Sequence, residues 1–367
     1  MIENKINSLQ LAALLLMIML SSFLGIGFFA SIKAAGINAY LSVILGTILG
    51  LFILGMFLII FNYKPNLSLP KKIINLFGLK IGLIINIIIF ILTFFMGLSA
   101  MFNLTNFIGS QFLPETPLFL IGFIFSLLII IINYKGIEVI SRVCIILIGI
   151  NLLLYFLATL GLIPSFKLSN LQPFLEDGVY RPLYGSIFIL EINILPIFLL
   201  LMISKNSIVD KAKTSKYLLT FYLFGALLMF FTMFLSLGVL GIDLASIYQY
   251  PEYIVLKNIN LLQFIDRIEN VITIQWIFGL FIFLSIIVYF LSNYLKVNNK
   301  HSIIYVIITF AILITCFLLF ANNTIFNSYI YKYILYIRSA FLLIFLFISM
   351  AIIYKCGFKK NLFFTSN

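Results

Sequence analysis

The sequence predicts an all-α polytopic membrane protein with ten transmembrane helices, from its composition, the length of its apolar runs and the placement of its charges. Of 367 residues, 63% are hydrophobic and 9% are charged, and the mean hydropathy is +1.22. A soluble globule needs more polar surface than this composition supplies. We therefore expect one integral membrane domain over residues 1–367 and no soluble domain.

Ten apolar runs are long enough to cross a bilayer as helices. The first follows Glu3 and Lys5 without a small-residue cleavage site, so we interpret it as a retained span and not as a signal peptide. Ten spans divide into two sets of five, about 9–163 and 183–354, as in inverted-repeat transporters. The runs cover residues 9–29, 39–61, 82–107, 117–133, 139–163, 183–204, 216–240, 269–292, 302–321 and 334–354.

Charge placement predicts the orientation in the membrane. An even number of spans puts both termini on one side, and most of the 23 Lys and Arg residues fall in connections that share that side. Basic loops stay in the cytoplasm, so both termini are predicted to be cytoplasmic. The net charge of +12 then reflects topology and not nucleic-acid binding. The outer connections collect most of the acidic residues: Glu115, Glu176, Asp177, Asp243, Glu252, Asp266 and Glu269.

The first span contains a glycine pair that predicts a helix break. Gly25 and Gly27 lie in SSFLGIGFFAS, and each glycine weakens a helix by roughly 1 kcal/mol relative to alanine. Backbone amides freed at Gly25, Ile26 and Gly27 would suit a ligand carboxylate. Close packing of small residues between helices explains the same glycines, and both interpretations stay open.

The sixth span, SIFILEINILPIF, carries a carboxylate and a proline at membrane depth. Pro196 cannot donate to the carbonyl near Ile192, which predicts a second break. Glu191 costs roughly 2.5–3.5 kcal/mol at a helix centre, so we expect it to face a cavity, an ion or a partner. With Gly185 and Ser186 one to two turns earlier, discontinuous first and sixth helices predict a midplane ligand site. A protonated Glu191 that only bonds a neighbouring helix is the alternative.

Other candidate residues lie on the third span, the eighth span and the loops. Phe95, Gly97 and Ser99 would line the same cavity or pack in the bundle, and Trp276 would be a cavity wall or an interfacial anchor. The outer connections 164–182 and 241–268 form either a lid or plain connecting loops. Glu138 and Arg142 are four residues apart and predict a helical pair at the cytoplasmic boundary, either for a partner contact or as inner-loop charge that follows topology. Arg267 and Glu269 are a candidate gate of the outer vestibule, with solvated charges at a helix end as the alternative.

Catalytic and metal-binding patterns are not found in the sequence. His301 is the only histidine, and no second ligand stands at metal-binding spacing from it. Cys144, Cys316 and Cys356 have no paired spacing and are interpreted as small apolar residues. We expect no enzyme, no metal and no cofactor.

Four motifs, in order and well separated, resemble the spore germination permease family, the B subunit of endospore nutrient germinant receptors. The likeness covers residues 7–356. The motifs are NSLQLAALLLMIMLSSFLGIGFF, NYKGIEVISR, LQPFLEDGVYRPLYGSIFILEINILPIFLLL and YQYPEYIVLKNINLLQFIDRIENVITIQWIF.

This resemblance implies the LeuT-like fold of the amino acid/polyamine/organocation transporter superfamily. It also implies the spore inner membrane and partner A and C subunits. The leading hypothesis is therefore a receptor subunit that binds a small germinant, expected to be an amino acid, between spans one, three, six and eight. A proton-coupled amino-acid transporter is the alternative function, since fold alone does not separate receptor from transporter.

Overall fold

In the computed structural model, the regular secondary structure of the described residues consists of helices, apart from one isolated bridge between Ile6 and Ile208. It describes residues 5–176, 178–248, 250–258, 268–295, 301–320 and 324–356, with side chains for all of these except 26, 258, 268, 270–272, 301, 302 and 324–336. Ten stretches within them are long and apolar enough to cross a membrane. The predicted ten-span, all-α architecture is confirmed.

The helices follow the predicted order, with two short additions. The spans are formed by α1 (Ser8–Ser22) with α2 (Phe28–Ala35), α3 (Ala39–Asn62), α5 (Leu79–Gln111), α6 (Leu118–Lys135), α7 (Ile137–Leu162), α8 (Tyr180–Leu199), α9 (Thr214–Ile247), α11 (Ile268–Tyr294), α12 (His301–Phe320) and α13 (Thr324–Cys356). The additions, outside the spans, are α4 (Leu69–Phe77) and α10 (Pro251–Ile254).

The first span is broken where the glycine pair predicts. A π-helical turn over Phe23–Gly27 joins α1 to α2, and two of its residues leave helical geometry. Leu24 is extended at φ −61°, ψ 144°, and Gly25 has φ 75°, ψ −107°. Residues with a Cβ rarely adopt the backbone conformation of Gly25, so the glycine is what permits the turn. We call Phe23–Gly27 the break.

The sixth span differs from the expectation of a discontinuous helix. The helix α8 runs without interruption from Tyr180 through Pro196 to Leu199 and ends in a 3₁₀ turn over Leu200–Met202. Pro196 lies three residues before the C-terminal end of the helix, so only one intrahelical hydrogen bond is lost there. A single lost bond does not separate the helix into two parts when the freed carbonyl finds another donor.

One end of the bundle gathers both ends of the described chain. The backbone of Ile6 pairs with Ser207 and Val209 through bonds of 2.9 and 3.0 Å. At the same end, Lys205 Nζ donates to Asn62 Oδ1 at 2.8 Å, and Lys355 Nζ donates to the carbonyl of Leu76 on α4 at 3.1 Å. Both ends of the described chain therefore lie at one end of the bundle, which agrees with an even number of spans.

The other end of the bundle carries the long connections after α7 and α9. The first connection bonds to the end of α9, where Lys167 N–H donates to the carbonyl of Gly238 at 2.9 Å. In the second, α10 is followed by a 3₁₀ turn over Val255–Asn258. Residues 259–267 of this connection, which belong to the candidate lid, lie outside the described residues.

Candidate functional site

A cavity of about 90 Å³ lies beside the break, between α1, α7, α9, α11 and the α10 connection. By the same measure a single water needs roughly 10–15 Å³, so several waters or a small organic molecule fit. Among the span helices predicted to form the site, α1 and α11 line this cavity, whereas α5 and α8 contribute no lining residue. We call it the break cavity. Its apolar wall consists mainly of Leu20, Leu24, Leu152, Leu228, Leu235 and Leu256.

Glu252 ties α10 to the break. The Gly25 N–H donates to Glu252 Oε1 at 2.6 Å, and the side chain of Glu252 is buried and lines the break cavity. The break therefore presents an amide to a carboxylate of the protein's own α10 connection, whereas the sequence predicts a ligand carboxylate at this position.

Trp276 closes the break from α11. A Cβ added at Gly25 would stand 2.8 Å from Trp276 Cζ2, so the indole ring packs directly on the glycine backbone. The ring centroid of Trp276 lies 4.1 Å from that of Phe107 and 5.5 Å from that of Tyr250. Tyr250 also accepts a hydrogen bond from Asn106 Nδ2 at 2.8 Å. This aromatic cluster joins α5, α11 and the α10 connection around the break.

Three polar atoms of the cavity-lining residues are buried without a hydrogen-bond partner: Asn151 Oδ1, Glu252 Oε2 and Trp276 Nε1. Most hydroxyls of the wall are occupied, since Tyr155 Oη and Thr232 Oγ1 both donate to the carbonyl of Leu228. Burial raises the pKa of Glu252 to about 7, against the lowering effect of backbone N–H donors that include Gly25. Unpaired buried polar atoms are costly, and these three point to a polar ligand or water.

A second polar centre, the charge cluster, lies where α1, α8 and α13 meet. It consists of Ser22, Glu191, Arg338 and Ser339. Ser339 Oγ donates to Glu191 Oε1 in a short hydrogen bond, and the Arg338 guanidinium interacts electrostatically with the same carboxylate. Arg338 Nη2 donates to Ser22 Oγ at 3.4 Å, and only 2% of the Arg338 side chain is exposed. Glu191 is thus held between helices and does not line the break cavity.

Pro196 has no N–H and leaves the carbonyl of Ile192 free for another donor. In a regular helix the N–H of residue 196 would bond the carbonyl of Ile192; here Ser22 Oγ donates to that carbonyl at 3.4 Å. Ile192 also fills the space at the break, because a Cβ added at Gly27 would stand 2.4 Å from Ile192 Cδ1. The proline and the glycine together allow α8 to lie against the first span.

The remaining predicted residues lie away from both centres. On α5, Phe95 is 44% exposed on the outer surface of the bundle, and Ser99 is buried. Gly185 packs against Ser42, and Ser186 Oγ bonds within α8 to the carbonyl of Leu183 at 2.6 Å.

The predicted charge pairs lie at the ends of helices. Glu138 and Arg142 form an ion pair of 2.5 Å on α7, in which the Arg142 side chain is 67% exposed. Glu269 lies in the first turn of α11 and is half-buried. Arg267 and the side chain of Ile26 lie outside the described residues.

Sequence reasoning missed Arg338 and Glu252 as site residues. Arg338 lies inside the last apolar run and is one of only four arginines in the chain. A charged side chain at membrane depth is costly and is expected to face a cavity, an ion or a partner, and this argument applies to Arg338 as it does to Glu191. Glu252 follows Tyr250 and Pro251 in a polar connection and carries no comparable signal. Its position is decided by the fold of α10 against the break.

Ten spans, a broken first helix and a cavity beside the break define a protein with the architecture of a secondary transporter. The solved structures agree at the level of the fold. The manganese transporter of Eremococcus coleocola in complex with an aromatic bis-isothiourea compound matches with a TM-score of 0.63 and 14% identity, over 97% of this chain and 80% of that chain. A variant of the same transporter, with one histidine replaced by alanine, matches with a TM-score of 0.62 over the same shares of the two chains.

The family is shown by the sequence itself. The chain belongs to the Spore_permease family, described as spore germination proteins, whose model matches residues 5–325. It is 24% identical to spore germination protein KB of Bacillus subtilis (strain 168), over 70% of this chain and 69% of that protein. Spore germination protein XB of Bacillus anthracis is 24% identical over 65% of this chain and 69% of its own length. The putative spore germination protein YfkT of B. subtilis is 32% identical over 47% of this chain and 46% of its own length.

Proposed function

We propose that this chain is the membrane subunit of a nutrient germinant receptor and that it binds a small germinant, an amino acid by expectation, in the break cavity. The break cavity is the observation that supports this proposal. It lies beside a helix break, is lined by unpaired polar atoms and is bounded on one side by α10. Membership in a family of spore germination proteins supplies the biological context. On this proposal the protein acts in the spore inner membrane with both termini in the cytoplasm.

Signalling follows from differential binding. A ligand shifts a conformational equilibrium only by the difference between its affinities for the two states. Contacts made at the break and at α10 change with the position of α10, so a germinant would favour one arrangement of the bundle. The A and C subunits are the proposed receivers of that shift, which would begin ion release from the spore.

A proton-coupled amino-acid transporter is the second candidate, because proteins that share the fold include transporters. Transport of manganese itself has less support: within the part of the chain that the structure describes, no group of three or more His, Cys, Asp or Glu residues is placed to hold a metal ion. At 14% identity the manganese transporter supports the fold and not the cargo.

Two measurements separate receptor from transporter. Spores that lack this chain should fail to germinate with one class of nutrient while they respond normally to others. The purified chain in proteoliposomes should not accumulate that nutrient in response to a proton gradient. Concentrative, proton-dependent uptake by this chain alone would establish the transporter instead.

A further inference from the structure

Glu252 offers the break cavity a carboxylate oxygen that the protein itself leaves unused. One oxygen, Oε1, is fixed by the Gly25 N–H at 2.6 Å, and the other, Oε2, is buried without a partner. Among the described residues no lysine or arginine forms an ion pair with Glu252. A carboxylate held at one oxygen and free at the other is positioned to accept a hydrogen bond from a ligand.

The other unpaired atoms of the cavity narrow the chemistry of that ligand. Asn151 Oδ1 is a second free acceptor, and its assignment is supported because Asn151 Nδ2 donates to the carbonyl of Gln275 at 3.1 Å. Trp276 Nε1 is the one free donor among the three unpaired lining atoms. Two acceptors, one of them a carboxylate, against one donor favour a group that donates several hydrogen bonds and carries positive charge. An ammonium group has three N–H donors and no acceptor.

The wall of the cavity defines the body of the ligand. Leucine side chains from α1, the break, α7, α9 and the α10 connection surround the space, and most hydroxyls there are already bonded to backbone carbonyls. A sugar would bury many hydroxyls against this wall without partners, at a cost of about 1–3 kcal/mol for each. An apolar chain loses nothing there and gains by leaving water. Phe23, Tyr253 and Trp276 supply aromatic faces, which attract cations.

We infer that Glu252 is the ligand-recognition residue of the break cavity and that it binds the ammonium group of a small molecule with an apolar body. The inference rests on the proposed function, since it names the group that the germinant presents at the same cavity. Glu252 then has two roles. Its Oε1 accepts the hydrogen bond that holds α10 to the break, and its Oε2 accepts a hydrogen bond from the ammonium group of the ligand.

Three probes of one shape test this inference on the purified full chain in nanodiscs. Isoamylamine carries the ammonium group alone, 4-methylpentanoate carries the carboxylate alone, and leucine carries both. Binding is followed by saturation-transfer NMR and by titration of Trp276 fluorescence, since this is the single tryptophan of the chain. We expect isoamylamine and leucine to bind and 4-methylpentanoate to bind at least tenfold more weakly.

Glu252→Gln separates recognition from folding. Its amide oxygen still accepts from Gly25 N–H, whereas an NH₂ group replaces the free oxygen and repels an ammonium. We expect isoamylamine to bind roughly ten- to hundredfold more weakly, which matches the loss of a charged hydrogen bond. Glu269→Gln is the matched control, because Glu269 is another predicted outer acid and does not line the cavity. We expect this variant to bind isoamylamine with unchanged affinity.

The outcomes distinguish failure of this inference from failure of the proposed function. If 4-methylpentanoate binds as well as isoamylamine, or if Glu252→Gln binds the amine like the original protein, the ammonium inference is overturned and the cavity remains a ligand site. If none of the probes binds, the inference is also overturned, and the germination phenotype of spores lacking the chain decides the proposed function separately.

Discussion

At the scale of the residue, Arg338 and Glu191 are two buried charged side chains whose loss should affect stability. The two side chains come from α13 and α8, are 2% and 6% exposed, and share the charge cluster with Ser22 and Ser339. A buried charge without its partner is strongly destabilising, whereas removal of both charges is often tolerated. Arg338 and Glu191 therefore interact electrostatically between α13 and α8, two helices that are far apart in the sequence.

Removal of one partner should cost more than removal of both. We expect Arg338→Met and Glu191→Gln each to lower the free energy of unfolding by about 3 kcal/mol or more, and the double variant to recover part of that loss. Thermal and denaturant unfolding of the purified full chain in detergent measures the cycle. The pair Glu138 and Arg142 is the control, because it is exposed and exposed pairs contribute about 1 kcal/mol or less. Strictly additive losses at Arg338 and Glu191 would show that they do not interact.

If Glu252 binds the ammonium group as proposed, ligand binding should depend on pH. Its pKa in the folded protein is raised to about 7 by burial, and only the ionised form accepts an ammonium. The affinity for isoamylamine should therefore be constant above about pH 8 and should fall up to about tenfold for each pH unit below 7. The amine itself stays protonated over this range, since aliphatic amines titrate near pH 10.

The Glu252→Gln variant tests which group titrates. Charged residues on the elements near α10 are Asp243, Lys257 and Glu269, and the titratable phenols of the cavity wall are Tyr155 and Tyr253. Lys72 also has a pKa lowered to about 7, by burial and by Lys205, but it lies at the opposite end of the bundle. If the pH dependence persists in Glu252→Gln, another group is responsible.

At the scale of the element, the sequence predicts the broken first helix better than the sixth. Gly25 and Gly27 carry the signal for the break in the residues themselves, because one needs a positive φ and the other a close approach of α8. Pro196 also predicts a helix break, yet α8 continues through it because the Ser22 hydroxyl donates to the freed carbonyl of Ile192. A donor from another helix is a tertiary contact that no local pattern reports.

Gly25→Ala should disturb the break specifically. The backbone has φ 75°, and the added methyl group would stand 2.8 Å from Trp276 Cζ2 and 3.2 Å from Asn103 Nδ2. We expect a loss of about 1–3 kcal/mol in unfolding free energy, with weaker binding of the probes in the break cavity. The melting temperature in detergent and the probe titrations measure these effects.

Gly149→Ala is the matched control for the same substitution. Gly149 lies in α7, and nothing stands within 4 Å of the added Cβ, so the change should be neutral or stabilising by up to about 1 kcal/mol. Equal behaviour of the two variants would remove the special role of Gly25.

At the scale of the whole molecule, the order of the spans follows from hydropathy, whereas the sites depend on contacts between distant helices. The ten spans are readable because each is a continuous apolar run. The helix α4 escapes prediction because it is short and amphipathic, with Lys72 buried and Lys71 exposed on neighbouring positions. The five-plus-five inverted repeat stays a prediction. Glu252 reaches Gly25 across 227 positions, a distance over which local sequence carries no information.

The orientation of the bundle decides from which side a germinant reaches the break cavity. The cavity lies towards the end that carries α10, and the basic residues Lys72, Lys205, Lys211 and Lys355 lie at the opposite end. From the positive-inside rule we expect α10 to lie outside the cytoplasm. We expect Phe174→Cys, in the connection between α7 and α8 and 61% exposed, to react with a membrane-impermeant maleimide in intact protoplasts. Val209→Cys, 68% exposed near Ile6, should react only after permeabilisation.

The native cysteines provide the baseline for this labelling. Cys144 and Cys316 are buried, and Cys356, half-buried at the basic end, is replaced by serine in both variants. If Val209→Cys is the variant that reacts in intact cells, the bundle is inverted and the break cavity faces the cytoplasm. A nutrient from outside the membrane would then have no direct route to Glu252, and an inverted result would overturn the proposed function together with the orientation. Reaction of Phe174→Cys alone leaves the outer end, α10 and the cavity beneath it on the side from which nutrients arrive.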